Sequence, residues 1–285
     1  MYDELLSTVT SAPISYAVYS GLSFYGRRRG GELPGLWFVR AFGALGHAAP
    51  AVRQTLFRME RTAVLATRRA GRGKFYRLSP LAQAEADAGL AKILGPRPEA
   101  WDGQWTLLHA RFDWSERDQR ERLYELLRSE GFAPLGAGAF LHPRDRAARI
   151  LQAAHEEGIG DRIVLVRGAR QGSDPISRFV PRHWNLEALE PEYRRFVERF
   201  TAVWLRERWS DRQAFVLRFA VVFAYLEPAW RDPELPSALL PRSWPGRTAR
   251  TLAARLYRRL LPGAVRFAHS MLPTPHRRAG SAETA

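Results

Sequence analysis

The sequence predicts an α+β protein in three parts, and the order of its elements carries that expectation. Residues 1–99 read as three helices followed by a basic hairpin, the order of a winged helix-turn-helix. Residues 100–175 read β-α-β-β-α-β, the ferredoxin-like arrangement. Residues 176–270 read as helices alone, and 271–285 as a disordered tail. At roughly 100–200 residues per domain, a chain of 285 residues suits two or three domains.

In the first part, ISYAVYSGLSFYG (14–26) and GLWFVRAFGALG (35–46) are mostly apolar and close on glycine, which tolerates the backbone beyond a helix end. A third helix is expected from about Pro50, because proline suits a first helical turn. Its apolar positions Val52, Leu56, Met59 and Ala63 step by four, three and four and so share one face. The opposite side carries Arg53, Gln54, Arg58 and Arg61. VLATRR and KFYRLS then flank AGRG, where glycines permit a tight reversal between two strands. Pro96 and Pro98 end the helix that follows.

The second part offers strands at WTLLHARF (105–112), at FAPLG and AFLHP around a Gly-Ala-Gly turn, and at IVLVRG (163–168). Helices are expected over 116–129 and 146–157. The third part holds helices at LEPEYRRFVERFTAVWLRERW, at AFVLRFAVVFAYL (214–226) and near 248–261, with a proline-rich connection before the last. The 214–226 run is too short to span a bilayer and contains Arg218, so it reads as a buried helix.

Charge narrows the function. Forty-four basic residues stand against 29 acidic, a net +15, and only Lys74 and Lys92 are lysines. Codon bias in a GC-rich genome exchanges Lys for Arg, but it does not create an excess of cations. The excess points to a polyanionic partner. It is uneven: +7 over 1–99, −1 over 100–175 and +9 over 176–285, so the middle part is the least suited to hold a polyanion. With no cysteine, disulfides, thiolate metal sites and cysteine nucleophiles are excluded. The amino-terminal residues lack a secretory pattern, and the expected location is cytoplasmic, with no membrane partner.

Between Pro50 and Arg77 lie Arg53, Arg58, Arg61, Arg68, Arg69, Arg72, Lys74 and Arg77 against the single acid Glu60. Clustered cations neutralise phosphates, and Arg53 and Gln54 near the start of the helix suit guanine and adenine edges. Arg53, Gln54, Arg58, Arg61, Arg68, Arg69, Arg72 and Lys74 are therefore the expected contacts to double-stranded DNA. Arg27, Arg28 and Arg29 offer a flanking phosphate contact, or simply a favourable charge at a helix C-terminus. The seven histidines show no i,i+3 or i,i+4 pair, and no zinc-hydrolase motif, phosphate loop or serine elbow is present. No enzyme, cofactor or metal is expected.

AVRQTLFRM ahead of RRAGRGKFYRLSP, WDGQWTLL at the start of the second part, and RDPELPSALLPRSWPG in the third together resemble the PaaX family, repressors of the phenylacetic-acid degradation operon. The resemblance implies a winged helix, a central domain similar to small CRISPR-associated ferredoxin-like nucleases, and a helical carboxy-terminal domain. It further implies a dimeric repressor released from its operator by phenylacetyl-coenzyme A. Where such sequences usually have glycine after the recognition helix, this chain has Ala63, which predicts a longer or slightly strained turn.

An aryl-coenzyme A needs an apolar slot and cations for its phosphates. Arg178, His183, Trp184, Arg218, Trp230, Arg231 and Trp244, with Phe179, are the inventory that could supply them, although aromatics at helical spacing more often build a core. The proline-rich segment and the stripe Leu252, Leu256 and Leu260 are the expected homodimer interface. Two alternatives stand beside this reading: a metal-dependent nuclease using Asp113 in the central domain, and a DNA-binding regulator with a different ligand or none. Asp113 ahead of WSERD reads more simply as a helix cap.

Overall fold

The computed structural model describes residues 2–71, 73–96, 100–172 and 175–273. In chain order these form α1 (Tyr2–Ser11), α2 (Ile14–Gly21), β1 (Leu33–Pro34), α3 (Gly35–Gly43), α4 (Ala49–Arg61), β2 (Leu65–Ala70), β3 (Gly73–Leu78) and α5 (Pro80–Leu94). Then come β4 (Gln104–Ala110), α6 (Arg117–Ser129), β5 (Ala133–Gly136), β6 (Ala139–His142), α7 (Ala147–Glu156) and β7 (Ile163–Ala169). Helices complete the chain: α8 (Ile176–Trp184), α9 (Leu186–Leu205), α10 (Asp211–Ala229), α11 (Pro245–Arg259) and α12 (Leu261–Ser270). The mixture of helices with two small sheets is α+β. The tail expected over 271–285 lies outside the described residues from 274 onward, as does Arg72.

The residues group into two compact units. The first takes Met1–Gly95, Phe196–Glu227 and the chain from Ala249 on; the second takes Pro96–Arg195 and Pro228–Thr248. The helical third part read from the sequence is thus divided between the two units.

In the first unit, β1, β3 and β2 form an antiparallel sheet in that order, with Arg69 opposite Lys74 and Ala70 opposite Gly73. Beside it lies an aromatic core. The Tyr25 ring stacks on Phe215 at 5.4 Å, Trp37 meets Phe42 edge-on, and Phe215 touches Phe267 at 5.1 Å. Trp37 is fully buried, and its indole N–H donates to the Ala268 carbonyl at 2.7 Å, tying α3 to α12. A buried indole requires such an acceptor, so the carboxy-terminal helices belong to the same core as the amino-terminal ones. Residues 214–222 of α10 are buried throughout, as its continuous apolar run foretells.

Two local readings are corrected. The helix expected over 14–26 leaves α-geometry after Gly21: Leu22–Gly26 is a π-helical turn and Arg27–Arg29 a 3-10 turn, closed by Gly30 at φ 71°. Ala63 does not extend the buried face of α4, which is Val52, Thr55, Leu56 and Met59, because the helix has ended. Ala63 stands beyond it at φ 55°. Its N–H donates to the Glu60 carbonyl and that of Val64 to Met59, both at 3.0 Å, the paired bonds of a Schellman motif. The turn is strained, as the missing glycine predicts, but not lengthened.

In the second unit the sheet order is β5-β6-β4-β7, antiparallel throughout. One face of the sheet and the helices α6 and α7 enclose a core of Leu108, Leu123, Leu127, Phe132, Phe140, Ile150, Ala154 and Ile163. The β5–β6 reversal needs its glycine: Gly138 has φ 76°, and a Cβ there would fall 2.2 Å from the Ala110 carbonyl oxygen.

Candidate functional site

Helix α4 is amphipathic. With Val52, Leu56 and Met59 turned inward, Arg53, Gln54, Phe57, Arg58 and Arg61 are left exposed on the other side. Pro50 occupies its first turn. Phe57, 60% exposed, was not among the residues singled out from the sequence; it lies in the row 54, 57, 58, 61 that the helical repeat turns outward. The Arg61 guanidinium sits 6.0 Å from its ring centroid. Such a row of donors with one apolar contact has the dimensions and chemistry for base edges in a major groove.

The hairpin β2–β3 adds Arg68, Arg69 and Lys74, but they are not equivalent. Arg68 forms a forked pair with Glu32, its Nε and Nη2 donating to Oε2 at 3.1 and 2.9 Å, and lies 5.0 Å from the Phe75 centroid. The Lys74 ammonium donates to both Glu60 oxygens at 2.7 and 2.5 Å, and the Thr67 hydroxyl donates to Glu60 at 3.0 Å. That ammonium holds the Glu60 carboxyl below the usual carboxylate range. Glu60 thereby joins the last turn of α4 to both hairpin strands. Arg53, Arg58 and Arg61 are exposed and form no ion pair among the described residues, so their charge is the least compensated, whereas the charge of Arg69 also acts on Glu60. The sequence inventory treated these cations as one set. The two counter-ions arrive from 36 and 14 residues away, separations at which charge pairing leaves no local pattern.

Arg27, Arg28 and Arg29 are exposed, and Arg27 pairs with Asp87. The residues proposed for an effector do not form one set. Arg218 lies in the first unit, 2% exposed, with its guanidinium 3.8 Å from the Tyr257 centroid and 4.6 Å from that of Phe24. Its Nε donates to the Tyr257 carbonyl at 3.3 Å, near the C-terminus of α11, a favourable end for a cation. Arg178, His183, Trp184, Trp230, Arg231 and Trp244 belong to the second unit. There the buried Trp184 indole donates to the Gly131 carbonyl at 2.8 Å, and His183 packs on Phe179 at 4.5 Å. Trp244 is buried against Tyr193, and Arg231 pairs with Glu192. Arg178 and Trp230 are exposed. Trp184 and Trp244 thus pack as core residues.

The leucine stripe expected at a dimer interface is consumed within the first unit: Leu256 and Leu260 are buried and Leu252 partly so. Asp113 stands at the N-cap of a 3-10 turn, Trp114–Glu116, and its N–H donates to the Glu116 carboxylate at 2.8 Å. It is a cap in a reciprocal box. Among the described residues no three His, Asp or Glu side chains are grouped to hold a metal ion, and no helix is long and apolar enough to cross a membrane.

Comparison with known proteins gives three successive matches along the chain. Residues 18–82 match the family model described as PaaX-like protein, residues 98–180 the PaaX protein central Cas2-like domain, and residues 184–270 the PaaX-like protein C-terminal domain. The transcriptional repressor PaaX of Escherichia coli (strain K12) is 29% identical over 261 residues, covering 86% of this chain and 80% of that protein. Among solved structures, the uncharacterized protein Rv0674 from Mycobacterium tuberculosis superposes with a TM-score of 0.56 at 20% identity, over 82% of this chain and 89% of the other, a likeness of fold. Three models of one family, met in their order from residue 18 to residue 270, place the chain in the PaaX family.

Proposed function

We propose that the chain is a cytoplasmic transcriptional repressor, not an enzyme, that binds double-stranded operator DNA through a winged helix-turn-helix. The observation that carries this reading is the outward row of α4, where Arg53, Gln54, Phe57, Arg58 and Arg61 stand beside the basic hairpin β2–β3. In this reading α4 enters the major groove, and the hairpin is the wing along the adjacent backbone. Arg69 contributes phosphate contacts directly, and Arg68 and Lys74 after sharing their charge with Glu32 and Glu60; Arg72, outside the described residues, is kept as an expected contact from its sequence neighbours alone. The sheet order of the second unit supports a ferredoxin-like central domain. The repressor name of the Escherichia coli relative supports the regulatory role.

The partner set includes a second copy of the chain and an aryl-coenzyme A effector, phenylacetyl-coenzyme A first, as family membership suggests. One recognition helix reads few base pairs, and two-fold pairing on a palindromic site doubles them. With the leucine stripe buried, the proline-rich segment is left as the candidate dimer contact.

The experiment is selection of duplexes from a random library by the purified protein, followed by anisotropy titration across salt concentrations. Changing Arg53 and Arg58 to Ala weakens binding to all sequences and flattens the salt dependence by about 0.9 per lost phosphate contact. Gln54→Ala relaxes preference at one position. Selection that enriches no sequence, or variants that bind like the parent, contradicts the assignment.

A further inference from the structure

Between residues 235 and 282 the sequence contains nine arginines and not one Asp or Glu. Codon bias accounts for arginine in place of lysine but not for the loss of acids. Part of this charge serves the fold. Arg250 donates to the Gly95 carbonyl at 3.1 Å, beyond the end of α5, and Arg266 pairs with Asp211 at 2.7 Å. Arg259 donates to the carbonyls of Trp204, Arg206 and Glu207, the last two at 2.7 and 3.0 Å, beyond the end of α9. Cations at helix C-termini are what the peptide dipoles favour.

Arg247 donates to the Ser237 carbonyl at 3.3 Å, whereas Arg255 and Arg258 serve no helix end and pair with no carboxylate among the described residues. Arg255 and Arg258 stand three residues apart on the exposed side of α11. The bonds from Arg259 hold the start of the loop between α9 and α10 against this helix, and that loop carries the exposed Arg206 and Arg208. Trp204 lies beneath, its centroid 5.9 Å from the Arg255 guanidinium and 5.0 Å from that of Arg259, while Arg206 stacks over Trp209 at 4.4 Å. Four exposed arginines therefore lie on α11 and on the loop that Arg259 holds against it. Glu207 is the acid among them, since Asp211 is held by Arg266. None of the four has a carboxylate partner among the described residues. None belongs to α4 or the hairpin.

We infer that Arg206, Arg208, Arg255 and Arg258 form a second contact surface for the phosphate backbone of double-stranded DNA. The inference rests on the DNA-binding reading above. Two cationic surfaces in one compact unit attract the same extended polyanion, and duplex DNA offers one negative charge per roughly 1.7 Å of axis, so backbone contact requires no sequence. Contact with Trp209 and Trp204 holds Arg206 and Arg255 without neutralising them. The surface adds affinity and salt dependence, while sequence preference stays with α4.

The test uses the full-length protein and a fluorescent random-sequence duplex of about 40 base pairs, titrated over a range of KCl concentrations. The triple variant Arg206→Gln, Arg255→Gln and Arg258→Gln is expected to lose about 2 from the slope of log affinity against log salt and at least about tenfold in low-salt affinity. Replacement of the same three positions by Lys is expected to retain the slope, and melting by circular dichroism is expected to be unchanged in both. An unchanged slope in the Gln variant, while the parent binds and the Arg53 and Arg58 variants weaken, overturns the second surface and leaves the first reading intact. Equal losses in the Gln and Lys variants with lowered melting temperatures also overturn it, since the effect is then structural. A parent that binds no duplex removes both readings.

Discussion

Two residues carry strain or charge that can be tested singly. Ala63 closes the α4 Schellman motif at φ 55°, where a Cβ crowds the following carbonyl and glycine is free. Ala63→Gly is expected to stabilise the protein by about 1 kcal/mol, part of the strain relief being offset by glycine's greater freedom in the unfolded chain, and urea denaturation measures it. A destabilised variant would mean that the left-handed turn is not formed. His142 is buried against Phe132, and its Nδ1 accepts the Arg144 N–H at 3.0 Å. Burial first, then the charges of Arg146, Arg144 and Arg167, push its imidazolium down to about 4. Because the folded value lies below the unfolded one near 6.5, the unfolded chain takes up a proton that the fold refuses. Stability is therefore complete above about 6.5 and is lost as pH falls toward 4, by about 3 kcal/mol at most for this group. His142→Gln should flatten the pH dependence of the urea midpoint across that window; an equally steep variant would assign the dependence to other groups. The missing glycine at 63 was legible only through the family resemblance, because alanine carries no helix-stop signal and the apolar spacing ran through it. The environment of His142 was not, since its burial and the three arginines around it come from the packing of separate strands and loops.

At the scale of elements, the sequence marks whatever has a period or a punctuation. The outward row of α4, both hairpin strands and every strand of the second unit follow from spacing and glycines. It does not mark β1, two residues long and a strand only because it pairs with β3, nor the π-helical turn that breaks the 14–26 run. Nor does it reveal the bridge between α4 and the hairpin. Glu60 accepts from Lys74 and Thr67, and Thr67 and Lys74 lie on the two hairpin strands. This bridge makes an opposing pair of contributions: it fixes the hairpin against α4 and, in the proposed complex, it cancels a cation next to where phosphates would lie. At such a partly exposed pair the stabilising share is small, about 1 kcal/mol or less. Removal of the charge should therefore favour DNA more than it harms the fold. Glu60→Gln is expected to raise affinity for duplex DNA and to steepen its salt dependence by up to about 0.9, the contribution of one freed cation. Weaker binding with an unchanged melting temperature would instead assign Glu60 the task of aiming the wing.

For the whole molecule, the composition indicates a polyanion partner, but the sequence order misleads about grouping. The third part divides because α12 and the inner face of α10 supply apolar surface that the short amino-terminal helices need, as the Trp37 bond to Ala268 exemplifies. Segments distant in sequence thus share the core that carries α4. The same division separates Arg218 from the other six residues considered for an effector, and it buries Trp184 and Trp244. What remains accessible in the second unit, Arg178, Trp230 and the paired Arg231, does not by itself specify a thioester. The effector proposal is therefore best tested through linkage, which does not require the pocket to be known. An effector releases DNA only if it prefers the conformation that binds DNA poorly, since equal affinity for both shifts nothing. A coupling of about 1–3 kcal/mol corresponds to a 5–150-fold loss of operator affinity, and the operator weakens the effector by the same factor. Anisotropy titrations with phenylacetyl-coenzyme A are expected to display that loss, whereas free coenzyme A and phenylacetate leave the isotherm unchanged. Calorimetry of the thioester with and without operator should return the reciprocal factor. A thioester that neither binds nor moves the DNA isotherm removes the effector from the proposal, and one that binds with equal strength to both forms removes the switch while leaving the ligand.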